Sequence, residues 1–336
     1  MNSFGRLFRI SIFGESHGAS VGVLIDGAPA GIPLSIDDFR DDLVRRGAGT
    51  KGTTPRRESD IPKIMSGVFH DTTTGAPLLI LFENQDVHSG DYAGFKDTPR
   101  PGHADFTAFR KFGGYEDYRG GGHFSGRLTL GLVAAGMLAK KMIAPVNVKG
   151  SLIEAGGESD IDKAVDTALK EKDSIGGIVE CRITQVPSSL GEPFFDSFES
   201  VLSHLVFAIP AIKGIEFGSG FRAAVMKGSE HNDVIISPDG ATATNHAGGI
   251  NGGITNGNEI IFRVAVKPAS SIGKAQKTLN IKTERMEDLT VKGRHDACIA
   301  IRVPVVVEAA VSIVLADFML QAQKVSRIIN PKNRIY

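Results

Sequence analysis

Hydrophobic positions along the chain fall into short strand-like runs and two long apolar segments. Leu7 to Phe13 and Val21 to Ile25 are rich in β-branched residues, with Gly14 and Gly27 just past their ends, and both predict strands. Pro77 to Phe82 reads as a buried strand, and Gly177 to Val186 and Glu259 to Val266 predict two more. Ser35 is placed to cap a helix whose Ile36, Phe39 and Leu43 share one face, ending before Gly47 and Gly49. Helical turns are expected at 161–170 and 198–208. The long segments are Ser125 to Ile143, which Pro145 stops, and Val303 to Gln323, apolar nearly all round. A helix apolar on every side must lie buried between layers. From Glu83 to Gly122 neither period persists, which points to a functional loop.

Strands followed by a long apolar helix recur in both halves, hinting at a pseudo-duplicated sandwich. No Pro/Ser linker, charge block or low-complexity tract divides the chain, so residues 1–336 read as a single domain with a C-terminal tail from about 324. The 336 residues allow a substantial core, with 41% hydrophobic and 23% charged residues. A formal net charge of +0 argues against a protein that coats nucleic acid or an anionic membrane. Only Cys181 and Cys298 are present, which points to no disulfide framework and a reducing compartment. The first residues lack the order of a signal peptide, and the apolar run from Val303 carries Pro304, Glu308 and Asp317. The expectation is a soluble, cytoplasmic globular protein.

One asymmetry survives the neutral total. Residues 1–130 hold eleven Arg and four Lys, whereas the remainder holds eight Arg and fifteen Lys. Arginine is the planar, bidentate partner for phosphate and carboxylate. Arg45, Arg46, Arg56 and Arg57 fall within thirteen residues, separated by Gly and Thr. A solvated basic face is the commoner explanation of such a run; convergence on oxyanions is the other.

Gly14-Glu15-Ser16-His17-Gly18 matches the nucleophile elbow of serine hydrolases, but that elbow needs a helix after the turn. Here a strand pattern follows, which disfavours a hydrolase using Ser16 and leaves Ser16 and His17 displayed in a glycine-flanked turn. In Arg100-Pro101-Gly102-His103-Ala104-Asp105 the Pro-Gly turn aims His103, and Asp105 is placed to orient its imidazole. Gly120-Gly121-Gly122-His123-Phe124-Ser125-Gly126-Arg127 runs into the first long helix, with Ser125 where a cap belongs, so an anion at the helix start is one reading and a plain capped helix the other. It fits neither a P-loop nor a dinucleotide turn. Asn245 to Gly253 is another glycine-rich turn. Lys267-Pro268-Ala269-Ser270-Ser271 offers one cation and two hydroxyls to a phosphate tail. Gly293-Arg294-His295-Asp296 precedes the second long helix and supplies an anion clamp beside an acid–base pair. No metal-ligand spacing such as H-x-x-x-H or C-x-x-C appears.

Together these motifs, in this order, resemble the chorismate synthase family from Gly5 to about Gln323; Glu308-Ala309 also belongs to the third signature region. The resemblance implies an α+β fold, a β-α-β sandwich with long central helices between two antiparallel sheets, assembled as a homotetramer. It implies anti-1,4-elimination of phosphate and a ring proton from 5-enolpyruvylshikimate 3-phosphate, giving chorismate with reduced FMN and no net redox change. By the resemblance His17, His103 and Asp296 are catalytic, with Ser16 and Ser125 as secondary relay members. Arg46, Arg57, Arg100, Arg127 and Arg294 bind substrate. His123, Phe124, Ser125, Pro210, Ala211, Gly252, Lys267, Pro268, Ala269, Ser270, Ser271 and Arg294 contact FMN. No nicotinamide-binding domain is visible, so an external flavin reductase or an NAD(P)H-derived reductant is expected. A non-catalytic flavin- or anion-binding protein on the same scaffold is the alternative. Departures from the family are His123-Phe124-Ser125-Gly126-Arg127, where many members read Arg-Ser-Ser-Ala-Arg, Gly47-Ala48 in place of Arg-Pro, and shorter segments before Thr53 and after Pro145.

Overall fold

The computed structural model describes residues 1–54, 58–85, 94–291 and 295–329. In the first half, β1 (Ser3–Phe4), β2 (Arg9–Gly14) and β3 (Ser20–Asp26) are followed by α1 (Arg40–Arg46), β4 (Lys63–Ser66) and β5 (Leu78–Glu83). These strands form one antiparallel sheet in the order β1-β2-β3-β5-β4. The register sets Val21 opposite Phe82, Val23 opposite Ile80 and Ile25 opposite Leu78, so one face carries a continuous apolar surface. Two helices follow, α2 (Asp105–Phe112) and α3 (Thr129–Ile143), and α3 packs across β2, β3 and β5.

The second half repeats the plan. β6 (Asn147–Ala155), α4 (Ile161–Glu171), β7 (Gly177–Thr184), α5 (Phe198–Phe207), β8 (Ile212–Phe217) and β9 (Ile260–Val266) build a second antiparallel sheet, ordered β8-β9-β7-β6. A hairpin of β10 (Gln276–Asn280) and β11 (Arg285–Leu289) stands apart from it. The last helix, α6 (Val303–Gln321), covers β6 and β7 and packs on α3. The layers are therefore sheet, α3, α6, sheet, around one shared apolar core. This is the sandwich that the strand and helix patterns anticipate.

Residues Ile299–Gln321 are long and apolar enough to cross a membrane by length and composition, yet they are mostly buried inside this core. The two long helices come close together at Gly136 and Ala309. A Cβ at position 136 would lie 2.4 Å from the Ala309 Cα, closer than any real contact, so only glycine permits this crossing. Asp317, buried on α6, accepts the backbone N–H groups of Arg6 (3.0 Å), Leu7 (2.7 Å) and Phe8 (2.9 Å) and so ties the chain's first residues to its last helix. The described part of the C-terminal tail is also docked, with Ile328 bridging to Ala30.

Three expectations need correction. The stretch from Glu83 to Gly122 contains α2, whose short stripe of Phe106, Phe109 and Phe112 spans only two turns and of which only Ala108 is buried. The helix expected from Ser125 starts as a short 3-10 turn, Gly126–Leu128, before α3 proper. The strand after Pro145 was not expected, since the sequence of β6 (Asn-Val-Lys-Gly-Ser-Leu-Ile-Glu-Ala) mixes polar residues into a half-exposed strand.

Replacing Gly136 with Val is expected to lower stability by ~1–3 kcal/mol, the usual cost of overpacking. Urea unfolding checks this, with Gly228→Ala as the control whose new methyl group meets nothing within 4 Å. An unchanged midpoint for the Val variant would show that the helices can part freely.

Candidate active site

A cleft of about 1410 Å³ opens where the two long helices begin, large enough for more than one drug-sized ligand. Its wall includes the starts of both α3 (Ser125 to Thr129) and α6 (Ile299, Arg302, Val303). Two macrodipoles therefore deliver positive potential to one floor. Seven Lys or Arg and four Asp or Glu line it among the described residues, so the wall favours anions.

Arg46 and Arg127 form the centre. Arg46, at the end of α1, donates from Nε to Thr129 Oγ1 (3.1 Å), from one terminal nitrogen to Asp60 (3.2 Å) and from the other to the Gly126 carbonyl (2.9 Å). Arg127 shares the same Asp60 (2.9 Å), donates to the Glu83 carbonyl (3.1 Å) and Asn84 Oδ1, and lies 3.7 Å from Glu58. Burial, and then the charge of Arg302, push the Arg46 guanidinium down to about 9; Arg127 adds to this while Asp60 and Asp296 oppose it. An anion in the cleft relieves that strain. Asp296 accepts the Thr54 N–H on Oδ1 (2.9 Å) and faces Arg302 on the same oxygen at 3.5 Å.

His103 is aimed as its Pro-Gly turn requires. Its Nδ1 lies 2.6 Å from Asp105 Oδ1, which fixes the proton there and leaves Nε2 for the glycine strip and the cleft. Asp105 is in turn gripped by Arg100 through Nε (2.8 Å) and a terminal nitrogen (2.8 Å). Burial alone would raise the Asp105 carboxyl, but the hydrogen bonds from Arg100 and His103 outweigh it and hold it well below the usual carboxylate range.

Gly120 to Gly122 run between the two histidines. A Cβ at Gly120 would sit 2.4 Å from the His17 Cδ2, and one at Gly121 would sit 3.4 Å from the His103 Nε2. All three have positive φ, and no other residue type fits this strip. Ser16 and His17 are buried beneath it, with the Ser16 N–H bonded to the Gly122 carbonyl (3.1 Å). That corrects the expectation of an exposed turn. It also removes the hydrolase alternative, because the turn joins two strands and Ser16 is sealed from solvent.

Residues 8–320 match the family model described as chorismate synthase. The chain belongs to the chorismate synthase family. A chorismate synthase of Chitinophaga pinensis is 64% identical over 329 residues, covering 98% of this chain and 99% of that protein. One from Dehalococcoides mccartyi is 44% identical over 360 residues, with 98% and 99% covered. A crystal structure of chorismate synthase matches with a TM-score of 0.73 at 24% identity, covering 95% of this chain and 93% of that one, and shows the same fold. Chorismate synthase is a lyase working on a small molecule, and the chain is read as one.

Seen as a chorismate synthase, the chain places most of its expected site residues on one cleft: Arg46, Arg100, His103, Arg127, Asp296, His123, Phe124, Ser125, Pro210, Ala211 and Lys267 to Ser271. Lys267 donates to Ser270 (2.7 Å) and Ser270 to the Gly102 carbonyl (2.7 Å), which ties this rim to the His103 turn. His123 is held between the Gly14 carbonyl (2.8 Å) and Asn2 Oδ1 (3.2 Å). Ser125 accepts the Arg127 N–H (3.3 Å) and so caps the turn before α3, as its position implies. Ser16 and His17, behind the glycine strip, do not line that wall, and neither does Gly252. It lies in the tight turn between Ile250–Asn251 and Ile254–Thr255, where hairpin geometry demands its positive φ, away from the cleft wall of this chain. Arg100 lines the cleft with its guanidinium bonded to Asp105 and to Ser271 (3.0 Å). Arg57 and Arg294 lie outside the described residues. Two wall residues that the sequence reading missed are Asp60 and Arg302; neither sits in a glycine-rich turn that would flag it.

The Arg100–Asp105–His103 group has a pH signature. Its folded carboxyl titrates below the unfolded value of ~3.9, so the stability it adds is complete above that value and is lost as pH falls through the folded one. Asp105→Asn is expected to cost ~3–5 kcal/mol at neutral pH, because it strands a buried guanidinium. Unfolding curves across pH should show wild type and variant converging below pH ~4. A gap that stays constant with pH would mean that Asp105 carries no folded-state charge.

Proposed function

We propose that this chain carries out the 1,4-elimination of phosphate from 5-enolpyruvylshikimate 3-phosphate to give chorismate, using reduced FMN. The observation that carries this reading is one cationic cleft that holds paired guanidinium groups, an aimed imidazole and a carboxylate, with room for two ring systems.

The residues fit a flavin mononucleotide. Lys267 with Ser270 and Ser271 is the donor set that a phosphate monoester needs, and burial beside Lys213 lowers the Lys267 ammonium, a cost that a dianion offsets. Gly126 lines the cleft with open space where a Cβ would stand, so a flat ring can approach the backbone. When bound, the reduced flavin supplies electron density that helps a poor leaving group depart.

The chain's own groups then have separable tasks. Arg46 and Arg127 hold the substrate's anionic groups, their forks kept in register by the shared Asp60. The phosphate leaves with the C–O bonding pair, and these guanidiniums meet the growing charge. His17, buried against the Gly120 backbone behind the cleft wall, is the proton donor to the leaving phosphate in this reading. His103 presents Nε2, steadied from behind by Asp105. Asp296 has Oδ1 engaged by Thr54 and Arg302, which leaves Oδ2 to hold the proton lost from the ring. Ser16 and Ser125 flank the glycine strip as relay or positioning groups. The enzyme works in the cytoplasm as a homotetramer, with reduced flavin supplied from outside the chain.

Anaerobic incubation with reduced FMN and enolpyruvylshikimate phosphate should release phosphate and chorismate in equal amounts. His17→Ala and His103→Ala should each slow turnover by about 10²–10⁴-fold. Tight flavin binding without phosphate release would favour the non-catalytic reading, and near-normal turnover in either variant would remove that histidine from the mechanism.

A further inference from the structure

Arg302 ends the 3-10 turn Ile299–Arg302 and occupies the N-cap position of α6. Its Nε donates to the Arg46 carbonyl at 2.9 Å, and one terminal nitrogen is 3.5 Å from Asp296. The other terminal nitrogen has no partner among the described residues, and the side chain lines the cleft at 18% exposure.

This is a costly place for a cation. Positive side chains are favoured at helix C-termini, whereas an N-cap lies at the positive end of the macrodipole. A second guanidinium, that of Arg46, is crowded beside it, and the two repel. The nearby carboxylate does not offset this fully. Charge-assisted bonds run to ~2.7–2.9 Å, so the 3.5 Å approach to Asp296 is loose. Arg46, Arg127 and Arg100 present the opposite case, each with its Nε and both terminal nitrogens already bonded inside the protein.

We propose that Arg302 is a substrate-binding residue whose free terminal nitrogen grips one of the substrate's oxyanions, a carboxylate or the phosphate, at the start of α6. The assignment rests on the elimination reading above. It also sets Arg302 apart from Arg46, Arg127 and Arg100, whose forks are already engaged inside the protein.

Calorimetric titration with FMN kept oxidised, so that no turnover occurs, tests this with enolpyruvylshikimate phosphate as the ligand. Arg302→Gln should weaken binding by about 10- to 100-fold, as loss of a charge-assisted bond does. Arg302→Lys should recover most of that loss. Both variants give up the Nε bond to the Arg46 carbonyl, so a residue that merely caps α1 would make them equally weak; that result, or wild-type affinity in both, overturns the proposal. Shikimate 3-phosphate, which lacks the enolpyruvyl carboxylate, identifies the anion. If the Gln variant binds it as wild type does, Arg302 meets that carboxylate; if the deficit persists, it meets the phosphate or the ring carboxylate. A wild-type chain that binds neither ligand overturns the elimination reading itself, and the Arg302 assignment falls with it.

Discussion

The carboxylate of Glu308, buried midway along the core in α6, accepts four hydrogen bonds from three other elements. Arg45 of α1 binds both its oxygens (2.6 and 2.7 Å), Lys140 of α3 reaches it at 3.1 Å, and the Gly150 N–H of β6 donates at 2.9 Å. Burial would raise this carboxyl, but the Arg45 bonds and the Lys140 charge hold it below its ordinary range. Removing one partner of such a pair costs ~3–5 kcal/mol, because the other charge is left stranded. The neighbouring Ala309 is where Gly136 touches α6. Two adjacent residues thus bring the long helices together and fasten α1 across them. With Arg45 turned inward to Glu308, the next residue, Arg46, is delivered to the cleft. The contact that closes the core also aims the site.

Arginine is the residue whose role the sequence conceals most. The cleft arginines belong to loops or helix ends, all but Arg302 within the Arg-rich first 130 residues, and composition does not tell them apart. What separates Arg302 from Arg100 is whether an internal carboxylate consumes the fork. Asp105 lies five residues from Arg100, at the first position of α2, close enough in the fold to take two of its nitrogens. Asp296 lies six residues from Arg302 yet reaches only to 3.5 Å, because Thr54 claims the same oxygen at 2.9 Å. That difference belongs to the packing of the 47–54 loop against the start of α6, and no local spacing encodes it.

The apolar parts of the fold were legible. Both long helices announce themselves by runs that only a core can absorb, and the two main strands of each sheet carry β-branched residues at the right period. What escaped is what solvent or charge holds in place: α2, with one buried residue, the exposed β10–β11 hairpin, and β6, whose Lys149, Ser151 and Glu154 break the pattern. The glycine-flanked motifs located the cleft because its walls need backbone conformations that other residues refuse. They did not reveal depth. His17 reads as displayed in sequence and is buried in the fold, because the strip that covers it comes from residues a hundred positions away. Gly252 shows the complementary limit, since a positive φ serves a hairpin as well as it serves a ligand.

A cleft that favours anions need not hold cations alone, and Glu58, Asp60 and Asp296 stand among its guanidiniums. An all-cationic floor would repel itself in the free enzyme and destabilise the compact state. Asp60 sits between Arg46 and Arg127 and bonds to both, which lets two buried guanidiniums keep a fixed spacing before any ligand arrives. Orientation is then settled in advance, and arriving oxyanions meet forks that need not reorganise. Neutralisation remains incomplete because the cations outnumber the carboxylates along the wall, so an anion still gains by entering. The carboxylates therefore set geometry, and the surplus of arginine and lysine sets affinity. The buried Arg46, already strained in its charged form, gains from any anion that enters beside it.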